Sequence, residues 1–414
     1  MTEPTKGRTR RQLRLAGRCL VLAAAVALAW PLQTDKWTAI FLPSISPYIA
    51  LGAALVARSA GLLALLALPV FLLALVFPRW FCQHGCPTGW LQELLERLHP
   101  PTQPRWQRWP SIGKWIVFLT LGGAILGYPF FLWLDPLALF NGFLNAWRPP
   151  LAFTTLVSGL GLPALLLFDL LWPRLWCQRL CPLGATQELL SLPRHLACRS
   201  ARCETIKEES APAPGISATA RRSFLIACAG AVGAFAARIA RGQPSFLRPP
   251  GSIEEARFSG TCVRCGNCAQ ACPSRIIQPD LGQSGVAGFL TPTLRFDRAY
   301  CREDCHRCNQ VCPSGAIARL ELAEKQRCAI GLAQVNLDTC FLAYGRECTA
   351  CIKGCPYEAV VLQTTAGGLS ASPRIDLGKC TGCGACVTVC PVRPQRAIRV
   401  VARELNQWCQ AAER

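Results

Sequence analysis

The sequence predicts a membrane-embedded α-helical module followed by a soluble α+β domain folded around metal clusters. Three observations predict it. Long apolar stretches are confined to the part of this 414-residue chain that precedes Arg241. Eighteen of the 26 cysteines fall after that point, sixteen of them in four repeated short spacings. Within the apolar part, a segment that begins at Pro78 recurs at Pro173.

The first element is the membrane module. The chain is 51% hydrophobic, with a mean hydropathy of +0.27. Only 16% of its residues are charged, where soluble domains carry about 25%. Four apolar stretches stand out, at Leu15–Trp30, Ala60–Phe77, Gly113–Leu134 and Leu156–Trp172. Each is close to the ~20 residues that cross a hydrocarbon core, and tryptophans lie near their ends. The fourth is the richest in Gly and Pro. A fifth, Phe224–Ala240, is shorter and rich in Ala and Gly, and reads as an anchor helix.

Basic residues set the predicted orientation. Lys6, Arg8, Arg10, Arg11, Arg14 and Arg18 precede or enter the first span. Arg79, Arg97, Arg105, Arg108 and Lys114 lie between spans two and three, and another group runs from Arg174 to Arg222. The two opposite loops hold only Lys36, Arg58 and Arg148. The positive-inside rule then places the N-terminus in the cytoplasm of a bacterial inner membrane. The predicted domains are a basic cytoplasmic tail at 1–14, a four-span module at 15–195 and a cytoplasmic linker at 196–220. A leader and anchor helix at 221–242 and a periplasmic domain at 243–414 follow.

The second element is the internal repeat. Pro78-Arg79-Trp80-Phe81-Cys82-Gln83-His84-Gly85-Cys86-Pro87 is matched by Pro173-Arg174-Leu175-Trp176-Cys177-Gln178-Arg179-Leu180-Cys181-Pro182, and Gln92-Glu93-Leu94-Leu95 by Gln187-Glu188-Leu189-Leu190. The spans therefore form two pairs related by a pseudo-two-fold axis. Cys82, Cys86, Cys177 and Cys181 are brought to one membrane face by this symmetry. Four thiolates there could hold one additional Fe–S cluster, or pairs of them could act as redox dithiols. Small buried hydrophobes would not need both cysteines in both copies. His84 has Arg179 as its counterpart, which argues against a ligand role.

The third element is the cysteine-rich domain. Its motifs are Cys262-x2-Cys265-x2-Cys268-x3-Cys272-Pro, Cys301-x3-Cys305-x2-Cys308-x3-Cys312-Pro, Cys340-x7-Cys348-x2-Cys351-x3-Cys355-Pro and Cys380-x2-Cys383-x2-Cys386-x3-Cys390-Pro. Three closely spaced thiolates wrap one corner of a cubane, and the fourth, followed by Pro, ligates the other cluster of a pair. Four motifs make four [4Fe–4S] clusters in two ferredoxin-like dicluster units, that is, a polyferredoxin. Zinc sites also use Cys-x2-Cys but seldom run three such gaps in series. Adjacent x2 cysteines bridge poorly as disulfides. The motifs pair either first with second and third with fourth, or first with fourth and second with third. Apolar residues repeat after each Cys-Pro, at Ile276-Ile277, Ala316-Ile317, Ala359-Val360 and Ala397-Ile398, placed to exclude water from a cluster. Cys19, Cys198, Cys203, Cys228, Cys328 and Cys409 lie outside all motifs and read as free or structural.

The net charge of +20 invites a nucleic-acid reading, which its distribution excludes. Much of it is the topology signal. From Arg241 onward the chain has 21 basic and 14 acidic residues, an excess that about −2 per bound cluster would cancel. No Gly-rich nucleotide loop, haem Cys-x2-Cys-His or catalytic triad is evident.

Arg221-Arg222-Ser223-Phe224-Leu225 matches the twin-arginine export pattern ahead of a weakly apolar segment. That route carries folded, cofactor-loaded domains. Ala234-Phe235-Ala236 has the small-x-small form of a cleavage site, but cutting there would detach the domain, so the anchor is expected to stay.

On these motifs, residues 15–195 resemble NapH, the membrane ferredoxin-type component of periplasmic nitrate reductase systems, with its paired Cys-x3-Cys-Pro loops. Residues 221–400 resemble NapG of the same systems and the methylamine-utilisation ferredoxin-type protein MauM. Together they look like a fusion of a NapH-like and a NapG/MauM-like part. NapH proteins usually continue into cytoplasmic ferredoxin motifs of their own. Here only Cys198 and Cys203 remain in that region, so a cytoplasmic cluster would rest on Cys82, Cys86, Cys177 and Cys181. The resemblance implies oxidation of quinol from the membrane pool and delivery of electrons to a periplasmic oxidoreductase, in the manner of a quinol dehydrogenase component. The rival reading is a redox assembly or maturation factor for a periplasmic metalloenzyme. A third is a scaffold with structural clusters. Asp135 is a weak candidate for the quinone site, and a helix-end cap suits it better.

Overall fold

The computed structural model describes residues 4–30, 37–59, 61–96, 110–148, 151, 153–203, 218–240, 246–364 and 371–402. The chain divides into two compact units. The first comprises Met1–Arg241 with Gly260–Cys265 and Pro313–Gly315, and the second comprises the remainder.

The first unit is helical. Its main helices are α1 (Pro4–Ala29), α2 (Pro47–Ala57), α3 (Leu68–Val76), α4 (Pro87–Glu96), α5 (Ile112–Ile125), α6 (Pro136–Ala146), α7 (Phe153–Gly159), α8 (Gly161–Leu171), α9 (Pro182–Cys203) and α10 (Ala218–Ala240). Among the described residues, only Gln12–Ala29 is a single helix long and apolar enough to cross a membrane, and α7 with α8 form a bent pair that together passes the same test.

The apolar stretches are thus more broken than hydropathy suggests. The second begins as a 3-10 turn, Leu62–Ala67, and becomes α-helical only at Leu68, with Pro69 in the first turn, where its missing N–H costs nothing. The third is not one helix. After Ile125 the Leu126, Gly127 and Tyr128 amides fold back onto the Gly123 and Ala124 carbonyls. Gly127 takes φ +86°, which ends the helix. The chain then runs extended and through a 3-10 turn to Asp135. The Asp135 carboxylate accepts from the Leu137 and Ala138 amides at 2.9 and 3.2 Å and so starts α6. The fourth stretch bends by 41° between α7 and α8. The segment predicted as a linker begins helically, because α9 continues to Cys203, and residues 204–217 lie outside the described residues.

The predicted anchor is the helix α10, which includes Arg222 and the Ala234-Phe235-Ala236 tripeptide. It packs along α5 through two glycines. A Cβ on Gly122 would lie 2.1 Å from the Ala227 carbonyl oxygen, and one on Gly230 would lie 2.3 Å from that of Leu119. Only glycine allows this approach of backbones.

Among its described residues, the second unit holds three two-stranded antiparallel sheets, joined by short helices. The strands are β1 (Ile277–Pro279), β2 (Pro292–Leu294), β3 (Leu332–Val335), β4 (Val360–Thr364), β5 (Ala371–Ile375) and β6 (Ile398–Val401). β1 pairs with β2, β3 with β6, and β4 with β5. The apolar pairs that follow Cys-Pro enter these strands: Ile277 lies in β1, Val360 in β4 and Ile398 in β6. Ile317 instead bridges Ser252. All eight residues of the four pairs are buried. Arg248 is buried as well, paired with Glu255 through two hydrogen bonds and bonded to Thr291 and Pro292. A buried guanidinium needs such full pairing.

Candidate iron–sulfur centres

Three of the four last cysteines lie beside a neighbouring motif, and these indicate how the motifs pair. Cys272 of the first motif lies within electrostatic reach of Cys301 and Cys308, beside Cys305. Cys355 of the third motif lies likewise by Cys380, Cys383 and Cys386. Cys390 of the fourth motif joins Cys340, Cys348 and Cys351. First therefore pairs with second, and third with fourth. The same partition divides the cores. Cys268, Cys272, Cys301 and Cys308 pack with Ile276, Ile277 and Phe296. Cys340, Cys351, Cys355, Cys380, Cys386 and Cys390 pack with Val360, Val392 and Ile398. The two pairs touch, since the Cys301 amide donates to the Cys383 carbonyl at 2.9 Å.

The donor sets fit [4Fe–4S] clusters: four thiolates each, three from one loop and one from another. Among the described residues no three His, Cys, Asp or Glu side chains converge tightly enough for one metal ion. Backbone amides already point at sulfur, with Ile317 donating to Cys312 Sγ at 3.4 Å and Ala359 to Cys355 Sγ at 3.3 Å. Burial pushes the Cys386 thiol up to about 12 and the Cys301 thiol up to about 11. Metal-free, they hold their protons, and ligation expels them.

In the first unit the two repeat copies form one four-cysteine site. Arg79 and Arg174, at equivalent positions, both take left-handed backbone angles of φ 57° and 62°. Cys86 and Cys181 sit just before the helices begun by Pro87 and Pro182, and their sulfurs accept from the Gly89 and Gly184 amides at 3.4 and 3.5 Å. The copies cross over at the other pair of cysteines. Gln187 Nε2 donates to Cys82 Sγ at 3.2 Å, and Cys177 Sγ donates to Gln92 Oε1. Gln92 and Gln187 are themselves equivalent, so each copy's glutamine holds the other copy's first cysteine. Arg79 donates to the Cys177 and Gln178 carbonyls at 3.1 and 3.0 Å. It also pairs with Glu188, which Lys114 reaches at 3.0 Å. Cys82 and Cys177 each feel Cys86 and Cys181 electrostatically. The four cysteines are one group, with donor chemistry suited to one Fe–S cluster or two dithiols. His84 is partly exposed and stays on its own copy, its Nδ1 within 3.1 Å of the Trp80 carbonyl.

A family model for a 4Fe-4S dicluster domain matches residues 261–316 and 346–393. One for a 4Fe-4S binding domain matches residues 59–105 and 152–197, each match enclosing one Cys-x3-Cys-Pro loop. The methylamine utilization ferredoxin-type protein MauM of Methylophilus methylotrophus is 33% identical over 183 residues, 41% of this chain and 76% of that protein. The chain belongs to the MauM and NapG ferredoxin-type proteins. Its similarity to the ferredoxin-type protein NapG of Escherichia coli is 38% over 169 residues, 38% of this chain and 71% of NapG. MauM of Paracoccus denitrificans is 34% identical over 201 residues and 87% of its length is covered. No solved structure matches the chain. The ferredoxin-type family and both 4Fe-4S domain matches make this an iron–sulfur electron-transfer protein.

Some functional residues escape sequence reasoning. Gln92 and Gln187 were visible as repeat positions, but their crossed contacts were not. Asn141 and Asn145 both donate to the Cys265 carbonyl, at 3.1 and 2.8 Å. Their signal was two amides four residues apart in an apolar helix. Asp135 proves to be the cap of α6. Cys328 is buried and disulfide-bonded, while Cys409 lies outside the described residues. Cys19 and Cys228 are free and exposed.

Proposed function

We propose that this chain is a membrane-bound electron conduit, with a NapH-like first unit joined to a NapG/MauM-like second unit. It takes electrons from quinol and passes them through four [4Fe–4S] clusters to a periplasmic oxidoreductase. The observation that carries the reading is the succession of cysteine sets. The set with Cys272, Cys301, Cys305 and Cys308 abuts, through Cys301 and Cys383, the set with Cys355, Cys380, Cys383 and Cys386. The set with Cys340, Cys348, Cys351 and Cys390 lies beyond. Cys262, Cys265, Cys268 and Cys312 then remain for the fourth cluster. Each bound cluster exchanges one electron, and the chain supplies spacing, insulation and thiolates.

Four spans, an N-terminus in the cytoplasm and a second unit in the periplasm complete the proposal. It is supported by the distribution of Arg and Lys, by the twin-arginine sequence at Arg221-Arg222 and by the disulfide at Cys328, since disulfides persist in oxidising compartments. The four-cysteine site of the first unit is the candidate entry point and holds a fifth cluster or a dithiol pair.

The test is iron and sulfide analysis of anaerobically prepared membranes, with EPR before and after a reduced quinol analogue is added. About sixteen irons per chain, or about twenty with a fifth cluster, and signals that appear on quinol addition are expected. Full iron with no response to quinol would move the function to redox assembly of a partner. Far fewer irons in protein never exposed to oxygen would sink the four-cluster reading.

A further inference from the structure

The four-cysteine site of the first unit contains two buried glutamines whose amides are only half used. Gln92 is the sixth residue of α4 and Gln187 the sixth of α9. Both side chains are buried. Gln187 Nε2 donates to Cys82 Sγ at 3.2 Å, which leaves its Oε1 without a partner. Gln92 Oε1 accepts from Cys177 Sγ, which leaves its Nε2 without one. The two copies therefore match in place and differ in the direction of the hydrogen bond. A buried N–H without an acceptor is unfavourable and rare. Trp176 adds a second one. It packs on the core that holds Cys86 and Cys181, and its Nε1 is buried without a partner.

Two equivalent glycines keep the sulfurs clear. A Cβ on Gly184 would lie 3.7 Å from Cys82 Sγ, and one on Gly89 would lie 3.8 Å from Cys86 Sγ. Ion pairs from Arg79 to Glu188 and from Arg174 to Glu96 join the copies in both directions, so the crossed contacts are built into the packing. A thiol sulfur is a weak acceptor, and two dithiols give the unpartnered donors little to bond. Thiolates and the sulfides of an Fe–S cluster accept hydrogen bonds well.

We propose that this site holds an Fe–S cluster and not two dithiols, and that Gln92 and Gln187 are positioning residues, each donating an amide N–H to the first cysteine of the other copy. The proposal rests on the reading of this site as the point of electron entry and commits it to one of its two forms. Four S–H bonds break as a preassembled cluster is ligated, and four protons leave, that of Cys177 among them. Gln92 then turns its amide by half a turn and gives Cys177 the bond that Gln187 already gives Cys82. Reduction adds one electron to the cluster and breaks no bond in the chain. Two N–H donors favour the more negative, reduced form and so raise its potential.

The experiment compares the full-length protein in anaerobic membranes with its Gln92→Met/Gln187→Met variant, which keeps side-chain length and removes both donors. It reads iron and sulfide per chain and an EPR titration with dithionite and mediators. The signal of this cluster is identified by its loss in the Cys82→Ser/Cys177→Ser chain. About twenty irons are expected in the unchanged protein and in the variant. In the variant the reduced-to-oxidised ratio of that signal alone, at a fixed potential, should fall about tenfold, a midpoint lower by about 59 mV for one electron. If the double variant holds only about sixteen irons, each single variant carries the titration, with a fall of about threefold expected. An unchanged midpoint would overturn the role of the glutamines. About sixteen irons in the unchanged protein, with no signal lost in the Cys82→Ser/Cys177→Ser chain, would overturn the cluster. A failure of the conduit reading is seen separately, as clusters of the unchanged protein that dithionite reduces and quinol does not. The midpoint comparison needs no quinol and still decides what the glutamines do.

Discussion

The two cysteine-bearing regions of this chain solve the same ligation problem in opposite ways. In the second unit, the sets around Cys308, Cys351 and Cys386 each draw three thiolates from one motif and take the fourth from a neighbouring motif. The loops are partly open to solvent, as Cys301, Cys305, Cys348 and Cys380 illustrate. In the first unit no loop supplies more than two cysteines. The site exists only when two copies of one segment meet, and Gln92, Gln187, Arg79, Glu188 and Lys114 brace it across the copy boundary. A local motif tolerates small shifts in the surrounding fold. A site split across a pseudo-two-fold depends on the packing of the whole helical unit.

The sharpest way to break this comparison is to remove one cysteine from each copy. Cys82→Ser with Cys177→Ser should leave about sixteen irons in the ferredoxin sets yet abolish their response to quinol, as read by EPR. An unchanged response would make the four-cysteine site dispensable and erase the contrast. A smaller effect separates packing from ligation. Ile398 is buried beside Cys386 and Cys390, so Ile398→Ala should cost roughly 2–5 kcal/mol in denaturant unfolding of the protein, while iron per folded chain stays constant. A cost under about 1 kcal/mol would mean that the bound cluster, and not the apolar pair, holds that core.

The mildest effect is a slope with pH in the metal-free protein. The Cys386 thiol is raised from 9.0 to about 12 by burial, as Cys301 is to about 11. A group raised in the folded state stabilises the fold fully below its unfolded value and loses that contribution as pH climbs toward the folded one. The metal-free second unit should therefore unfold more easily from about pH 9 upward, whereas cluster assembly should become easier and release protons. Thermal scans and a pH indicator during reconstitution check both signs. A metal-free fold that gains stability above pH 9 would contradict the burial of these thiols.

What the sequence discloses follows the same division. The sixteen cysteines and the apolar pairs such as Ala397-Ile398 are legible because spacing of a few residues determines them. The repeat of Cys82-Cys86 at Cys177-Cys181 is legible because identity at a fixed offset does not depend on the fold. The pairing of motifs is not, since Cys272 reaching Cys308 and Cys390 reaching Cys351 are choices of tertiary packing. Nor does hydropathy show that the apolar run after Gly113 stops at Ile125. Gly127 and Asp135 turn it, and an average over the window hides single residues. Asn141 and Asn145 stay hidden because their partner is a backbone carbonyl more than a hundred residues away.

The close glycine contacts between α5 and α10 have a consequence for stoichiometry. A helix that carries the Arg221-Arg222 pair near its start is wedged into the helical unit, with Ala234 of its small-residue tripeptide fully buried. In the conduit we propose, donor and acceptor modules on one such chain are produced in equal number. Their encounter is governed by a tether and no longer by how much of each the cell makes, so dilution, competing proteins and uneven expression lose their grip on the first electron transfer.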